Sequence, residues 1–339
     1  MSIIVTGGAG FIGSNFILDW VKKSDEIVIN IDSLTYSGNK KNLRYIENNT
    51  NYIFQKFDIN NKNKIKKIFL DYKPRAIINF AAESHVDKSI ISSESFIHTN
   101  ILGVYNLLEI SREYWENLST DTKKKFRFYQ ISTDEVYGDL KLDDLPFQEE
   151  STYSPNSPYS ASKASSDHLV RSWNRTYGLP TLISNCSNNY GPYQYAEKLI
   201  PLCITSALKN KKIPIYGDGN QIRDWLYVKD HCSAISVILK KGIPGETYNI
   251  GGNNEKTNLE VVNKICEILD TILPNKKNIS YKKLITHVAD RPGHDRRYSV
   301  DSSKIKNELN WTPQENFESG IYKTIEWYKE NFFGRNLKK

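Results

Sequence analysis

The sequence predicts an α/β protein, a doubly wound parallel sheet joined to a smaller, discontinuous C-terminal lobe. Three observations lead there. Short β-rich runs alternate with stretches long enough for crossover helices through the first half. The β-rich runs are near-continuously apolar, as strands covered on both faces require. A glycine-rich turn, Gly7-Gly8-Ala9-Gly10-Phe11-Ile12-Gly13, follows the first run directly and opens a helix.

In chain order, residues 3–6, 26–31, 52–57, 76–80, 126–132 and 181–185 read as strands. Residues 14–23, 62–72, 95–115 and 160–177 read as the helices between them. After about Asn188 the alternation breaks into turn-rich islands at Tyr190-Gly191-Pro192, Tyr216-Gly217-Asp218-Gly219 and Asp290-Arg291-Pro292-Gly293-His294. A helix over 230–240 and a strand over 247–250 are expected to return to the first unit, while 259–273 and 318–331 read as further helices. The expected division is therefore residues 1–188 with about 225–250 in a nucleotide-binding domain, and about 189–224 with 251–339 in a substrate lobe.

A chain of 339 residues, 39% hydrophobic and 12% aromatic, has enough apolar material for one large core plus a smaller one. No apolar run approaches the ~20 residues that cross a bilayer, and Met1 leads straight into the first strand without a basic leader. A cytoplasmic protein with no membrane partner is expected. Cys186, Cys203, Cys232 and Cys266 form no C-x-x-C, so neither disulfides nor a zinc site is expected. His85, His98, His231 and His287 lack metal-ligand spacing as well, and no metal is expected. The net charge of +7 is spread over separate lysine runs at 62–67, 123–125, 209–212 and 276–283, which argues for solvated faces and against a nucleic-acid partner. The same field would favour a small anionic substrate.

The glycine turn satisfies G-x-G-x-x-G from Gly8. Glycines serve there because the turn is tight, the backbone must approach a pyrophosphate closely, and the helix start offers unpaired amides with a favourable dipole. Asp32 ends the second strand, where a carboxylate accepts from a ribose 2′-hydroxyl and repels a 2′-phosphate. NAD is favoured over NADP, although Lys40 and Lys41 lie nearby in sequence. Asp58-Ile59 and residues 80–84 fall at strand C-termini, where adenine and ribose contacts are expected.

Tyr159 and Lys163, spaced i,i+4 at a helix start, share one helix face. A free tyrosine, with a pKa near ~10, is a poor base at neutral pH, and a neighbouring ammonium favours its phenolate. Upstream lies Ser132-Thr133-Asp134-Glu135-Val136-Tyr137-Gly138. Two carboxylates beside a Tyr/Lys pair exceed what alcohol oxidation needs and point to an elimination. A regular strand would send Asp134 and Glu135 to opposite faces, so their joint use requires the chain to turn after Thr133.

These stretches, with Asp32-Ser33-Leu34-Thr35-Tyr36-Ser37-Gly38-Asn39, Ala81-Ala82-Glu83-Ser84-His85-Val86-Asp87, Asn188-Asn189-Tyr190-Gly191-Pro192-Tyr193-Gln194 and Gln221-Ile222-Arg223-Asp224-Trp225, resemble the extended short-chain dehydrogenase/reductase family, nearly end to end. Within that family the chain is most similar to the dTDP-glucose 4,6-dehydratases. Tyr195-Ala196 departs from the usual Phe-Pro or His-Pro before Glu197-Lys198-Leu199. The resemblance implies a Rossmann sheet and a tightly bound NAD held by Gly7, Gly10, Phe11, Ile12, Gly13, Asp32, Ser33, Leu34, Thr35, Asp58, Ile59, Phe80, Ala81, Ala82, Ser84, Thr99, Tyr159, Lys163 and Asn189. It implies catalysis by Thr133, Asp134, Glu135, Tyr159 and Lys163, with Asp134 as acid and Glu135 as base. A nucleotide-diphosphate hexose would be held at the sugar by Ser84, Thr133 and Asn188. Its nucleotide would meet Lys198, Leu199, Pro214, Ile215, Tyr216, Arg223, Asn258, Asp290, Arg291, Pro292, Gly293 and His294.

The implied reaction makes chemical sense. A sugar C5 proton becomes removable only once C4 is a ketone, so oxidation at C4 precedes loss of water across C5–C6, and hydride returns to C6. A homodimer through helices 95–115 and 160–177 is implied too. A nucleotide-sugar 4-epimerase shares the glycine loop and the Tyr/Lys pair but has no need of Asp134 and Glu135, and a GDP-mannose dehydratase would usually take NADP, which Asp32 disfavours. Thymine and uracil differ by one methyl, worth only ~1–3 kcal/mol of discrimination, so dTDP-glucose and UDP-glucose both stay open.

Overall fold

The structure, a computed structural model, describes residues 1–275, 279–290 and 292–336. Its strands are β1 (Ser2–Thr6), β2 (Ile27–Asp32), β3 (Tyr52–Lys56), β4 (Ala76–Asn79), β5 (Arg127–Thr133), β6 (Thr181–Cys186), β7 (Asn188–Tyr190), β8 (Ile213–Tyr216), β9 (Ile222–Tyr227), β10 (Thr247–Ile250), β11 (Glu255–Thr257), β12 (Ile285–Val288) and β13 (Arg297–Tyr298). Seven of them form one parallel sheet in the order β10-β6-β5-β4-β1-β2-β3. The strand order reverses between β1 and β4, which opens a crevice at the strand C-termini.

The apolar runs are continuous because alternate residues serve opposite cores. Ile3, Val5, Val28 and Ile78 pack with Phe16, Ile17 and Trp20 of helix Phe11–Lys23 and with Ile235 and Ile238 of helix Val228–Lys241. Their neighbours Ile4, Ile29 and Ile77 face the other way, onto Ile65 and Phe69 of helix Lys62–Tyr72, Leu107 and Leu108 of helix Val104–Glu116, and Val170 of helix Pro158–Tyr177. Each fully buried side chain of this kind contributes roughly 1.5–3 kcal/mol, so both faces are closed to water at a large gain.

A second core gathers Cys203 and Ile204 of helix Leu199–Leu208, Ile265 and Leu269 of helix Asn258–Ile272, and Phe317, Ile321 and Ile325 of helix Phe317–Asn336. Its sheet runs β11-β9-β13 with β7 beside β9, and β8 pairs with β12 in a separate ribbon. The chain crosses between the cores repeatedly. Strand β10 joins the large sheet at its edge, and Ile305, Leu309 and Trp311, from the stretch expected in the second lobe, pack in the first core.

One helix differs from expectation. Residues 95–115 do not form a single α-helix: a short turn at Glu94–Phe96 leads into a π-helical segment at Ile97–Gly103, and only then into Val104–Glu116. The wider turn carries Asn100 inward, where its Nδ2 donates to Glu83 O (3.0 Å) and Ser162 Oγ (2.8 Å) and its Oδ1 accepts from Glu83 N (2.9 Å). Asn100 thereby ties the loop after β4 to the catalytic helix. Among the described residues no helix is long and apolar enough to cross a membrane.

Candidate active site

A deep cleft opens at the C-terminal ends of β1, β2, β4, β5 and β6. At its floor the glycine turn behaves as its spacing demands. Gly7 sits at φ +68°, and an added Cβ would lie 2.6 Å from Ala81 N; at Gly13 it would lie 2.6 Å from Gly7 O. Helix Phe11–Lys23 begins at Gly10 with no side-chain cap, so its first amides remain available to an anion in the cleft.

Asp32 closes the far end of this floor. Its Oδ2 accepts from Ala9 N (2.9 Å) and its Oδ1 from Leu34 N (2.8 Å), while burial pushes its pKa up. Leu34 does not line the cleft; its amide orients Asp32 instead, and its φ of +57° follows from that turn. Ser33, Thr35, Asp58, Ile59, Phe80, Ala81, Ala82, Ser84, Thr99 and Asn189 line the same space. An uncapped helix start, a glycine cradle without room for a Cβ and an acid at the ribose position together fit a dinucleotide.

The catalytic candidates meet at the end of β5. After Thr133 the chain enters a 3₁₀ turn, Asp134–Val136, and the Thr133 hydroxyl accepts the Glu135 amide at 3.3 Å. This turn brings Asp134 and Glu135 to one cleft, which a continued strand would prevent. Gly138 completes it at φ +93°, where a Cβ would stand 2.3 Å from Ser154 O. Asp134 is 2% exposed: its Oδ1 accepts from the Thr133 hydroxyl at 3.2 Å and its Oδ2 is buried without a hydrogen-bond partner. Burial, then the charges of Glu135 and Asp224, raise its pKa well above the carboxylate range, and Arg223 opposes them only in part. These influences favour the protonated form of the Asp134 carboxyl.

Tyr159 and Lys163 face this turn from helix Pro158–Tyr177, which starts with a capping box between Ser157 and Ser160. Lys163 donates to Ile131 O at 2.7 Å. Burial and the charge of Glu135 hold the Tyr159 phenol well above its usual range, and its hydrogen bond with Thr133 acts the other way. Burial lowers the Lys163 ammonium, and Asp167 counters it.

Of the sugar and nucleotide candidates, Ser84, Thr133, Asn188 and Lys198 line the cleft. The others gather beyond it in the second lobe. His294 Nδ1 lies 2.6 Å from Asp290 Oδ1, Gln221 Nε2 donates to Asp290 Oδ2 at 3.1 Å, and the Tyr216 and His294 rings meet edge to face. Arg223 donates to Ile222 O (2.7 Å) and Asp295 O (2.9 Å) and covers the Tyr298 ring. Asn258 opens helix Asn258–Ile272, Pro214 and Leu199 are partly buried, and the Ile215 side chain lies in the second core. Pro292 and Gly293 form the turn before His294; Arg291 lies outside the described residues.

Sequence reasoning passed over Tyr36, Gly38, Glu83, Cys186, Gln194 and Tyr195, which also line the cleft. Most of them stand inside the motif stretches already quoted, so adjacency to a motif was the available signal. Gly38 has a definite reason: a Cβ there would lie 2.7 Å from Asp32 Oδ1. Among the described residues no three His, Cys, Asp or Glu side chains are grouped as a metal site.

Comparisons with known proteins agree with this geometry. The family model described as GDP-mannose 4,6 dehydratase matches residues 4–324. A dTDP-glucose 4,6-dehydratase of Salmonella typhimurium is 57% identical over 339 residues, covering 98% of this chain and 93% of the relative. The dTDP-glucose 4,6-dehydratase of Bacillus anthracis, solved in complex with NAD, is 47% identical with a TM-score of 0.86 over 98% of this chain and 97% of that one. Its counterpart from Streptomyces venezuelae, solved with NAD and dTDP bound, is 41% identical with a TM-score of 0.88 over 98% of each chain.

Proposed function

The chain belongs to the GDP-mannose 4,6-dehydratase family of extended short-chain dehydrogenase/reductases, and from that premise we propose that it is an NAD-dependent hydro-lyase acting on dTDP-glucose. Its product is dTDP-4-keto-6-deoxy-glucose. The observation that carries this reading is the Asp134–Glu135 turn, two carboxyl groups in one cleft with a Tyr/Lys pair, the Asp134 carboxyl pushed up by burial. The close relatives bearing dTDP-glucose 4,6-dehydratase names decide for the thymidine nucleotide over UDP-glucose, and the carboxylate pair decides against the 4-epimerase reading.

Gly7, Gly10 and Gly13 with the uncapped helix start would hold the pyrophosphate of NAD, and Asp32 its adenosine ribose. Bound NAD would supply the hydride acceptor for the oxidation at C4 and the hydride donor for the reduction at C6. Tyr159 takes the O4 proton, with its hydrogen-bond partner Thr133 positioned to bond the same oxygen and Lys163 one helical turn away on the same helix. Glu135 removes the C5 proton once C4 is a ketone. Asp134, held protonated by burial, delivers its proton to the departing C6 hydroxyl. Each such transfer contributes typically 10²–10⁴-fold. Ser84 and Asn188 stand at the hexose, and Tyr216, Arg223 and the Asp290–His294 pair at the nucleotide, where a guanidinium offers bidentate bonds to phosphate.

The protein works as a homodimer in the cytoplasm on this reading. Leu102, on the segment leading into Val104–Glu116, Tyr105, in that helix, and Tyr177, at the end of Pro158–Tyr177, are exposed large apolar side chains on the two helices a partner copy would cover. All four cysteines are free and buried, as a reducing compartment allows. Incubation with dTDP-glucose and, separately, UDP-glucose tests the proposal: the 4-keto-6-deoxy sugar should form, preferentially from dTDP-glucose. A 4-epimer formed without loss of water would overturn it.

A further inference from the structure

A histidine to which none of the steps above assigns a role stands behind the wall of the cleft. His231, in helix Val228–Lys241, is wholly shut off from solvent, and its Nδ1 lies 2.9 Å from Asn189 Oδ1. Asn189 belongs to β7 and lines the cleft. Its Nδ2 donates to Ser187 O (2.9 Å) and to Cys186 Sγ (3.4 Å), and its backbone carbonyl accepts from Gln194 Nε2 (2.9 Å). The Cys186 thiol in turn donates to Ser132 O at 3.4 Å, so the series of bonds that starts at His231 ends on β5, one residue before Thr133.

These contacts fix which ring nitrogen carries the proton. Ser187 O can only accept, so the amide nitrogen of Asn189 must face it and Oδ1 must face His231. Two bare acceptors 2.9 Å apart would repel, and Nδ1 therefore holds the proton and donates it. Nε2 is buried without a hydrogen-bond partner among the described residues, so a proton there would be an unmet donor. The ring is neutral as well, since burial pushes its pKa down to about 3. Among the described residues no other donor reaches Asn189 Oδ1.

We propose that His231 is a positioning residue for the nicotinamide half of the cofactor, acting through Asn189 to hold the bend from β6 into β7 that walls the cleft beside Tyr159 and Lys163. The sheet order locates that half. Asp32 and the glycine turn stand at the ends of β2 and β1, so a dinucleotide with its adenosine over β2 extends the other way, past β4 toward β5 and β6. Cys186, Ser187 and Asn189 line the cleft there, and Cys186 pairs in register with Thr133. Without the His231 donor the Asn189 amide could turn, and its bonds to Ser187 and Cys186, which shape this wall, would be lost with it.

The role rests on the reading of the cleft as an NAD site, and one arm of its test involves no nucleotide. The ¹⁵N side-chain spectrum of the wild-type protein, with His231 assigned by loss of its signals in His231→Asn, should show a neutral ring protonated on Nδ1, unchanged down to about pH 5. His231→Leu deletes the donor. Calorimetry on the nucleotide-free variant should give an NAD dissociation constant raised about tenfold, with ADP-ribose, which lacks the nicotinamide, bound as in wild type. His231→Asn, whose Nδ2 takes the place of Nδ1–H, should restore NAD binding. Added to Asn189→Ala, which removes the acceptor, His231→Leu should cost no further affinity. A wild-type ring protonated on Nε2 or charged, equal weakening of NAD and ADP-ribose, or additive losses in the double variant overturns the proposal. Should His231→Leu not fold, Asn189→Ala alone must show the same selective loss of NAD. A wild-type protein that binds neither nucleotide brings down the NAD reading and this role with it, whereas each failure above leaves NAD binding by wild type intact.

Discussion

The Thr133 hydroxyl donates to Asp134 Oδ1 at 3.2 Å, and this single bond leaves the partner oxygen Oδ2 buried and unpaired at the end of β5. A carboxyl so placed is most stable with its proton on, which is the state an acid catalyst must start from.

Replacing Asp134 with Asn should therefore cost activity and raise stability at once. Product formation should fall by about 10²–10⁴-fold, measured as 4-keto-6-deoxy sugar per unit time. The stability effect has a definite sign. Because the folded-state pKa lies above the unfolded one, the native state binds the extra proton, and stability falls as pH rises between the two. Asp134→Asn escapes that loss, so its melting temperature should exceed wild type at pH 8 and match it near pH 4.

Glu135→Gln should separate the two halves of the reaction. Oxidation at C4 uses Tyr159 and Lys163, so bound reduced nicotinamide should still appear on adding dTDP-glucose, seen by its absorbance. Dehydrated product and solvent-deuterium exchange at C5 should each drop by about 10²–10⁴-fold. Near wild-type dehydration would remove Glu135 from the role of C5 base.

Asp32→Ala should weaken NAD binding and narrow its preference over NADP. The carboxylate is aimed by the amides of Ala9 and Leu34, one on each oxygen, and a hydrogen bond to a charged group is worth roughly 1.5–3 kcal/mol. An increase in the NAD dissociation constant of about tenfold or more should result, measured by calorimetry.

Gly13→Ala should damage both folding and cofactor retention. The new Cβ would come within 2.6 Å of Gly7 O and 2.8 Å of Gly8 Cα, backbone atoms that cannot yield without opening the turn. A loss of about 1–3 kcal/mol in denaturant unfolding, with NAD lost on gel filtration, is expected.

Much of this was legible in the order of residues. Continuous apolar runs at β1, β2 and β4 announced a sheet buried on both faces, because alternate side chains of a buried strand must each find a core. The glycine turn, Asp32 and the Tyr159/Lys163 pair could be read because each is a local device whose parts lie within one turn or one strand end. The π-helical segment at Ile97–Gly103 could not, since its register follows from Asn100 reaching residues of two distant segments.

Residue identity alone thus determined the fold class, the dinucleotide floor and which side chains had the chemistry for oxidation and elimination. Tertiary structure decided how those side chains differ from one another. Asp134 and Glu135 are neighbours of like chemistry, and only the 3₁₀ turn after Thr133, with burial on one side and partial exposure on the other, gives them different environments, the difference on which the proposed acid and base roles rest. The physical reason is that ionisation depends on solvation and on charges brought close by chain segments far apart in sequence, such as Asp224 beside Asp134 and Ser132 and Asn185 around Asp167.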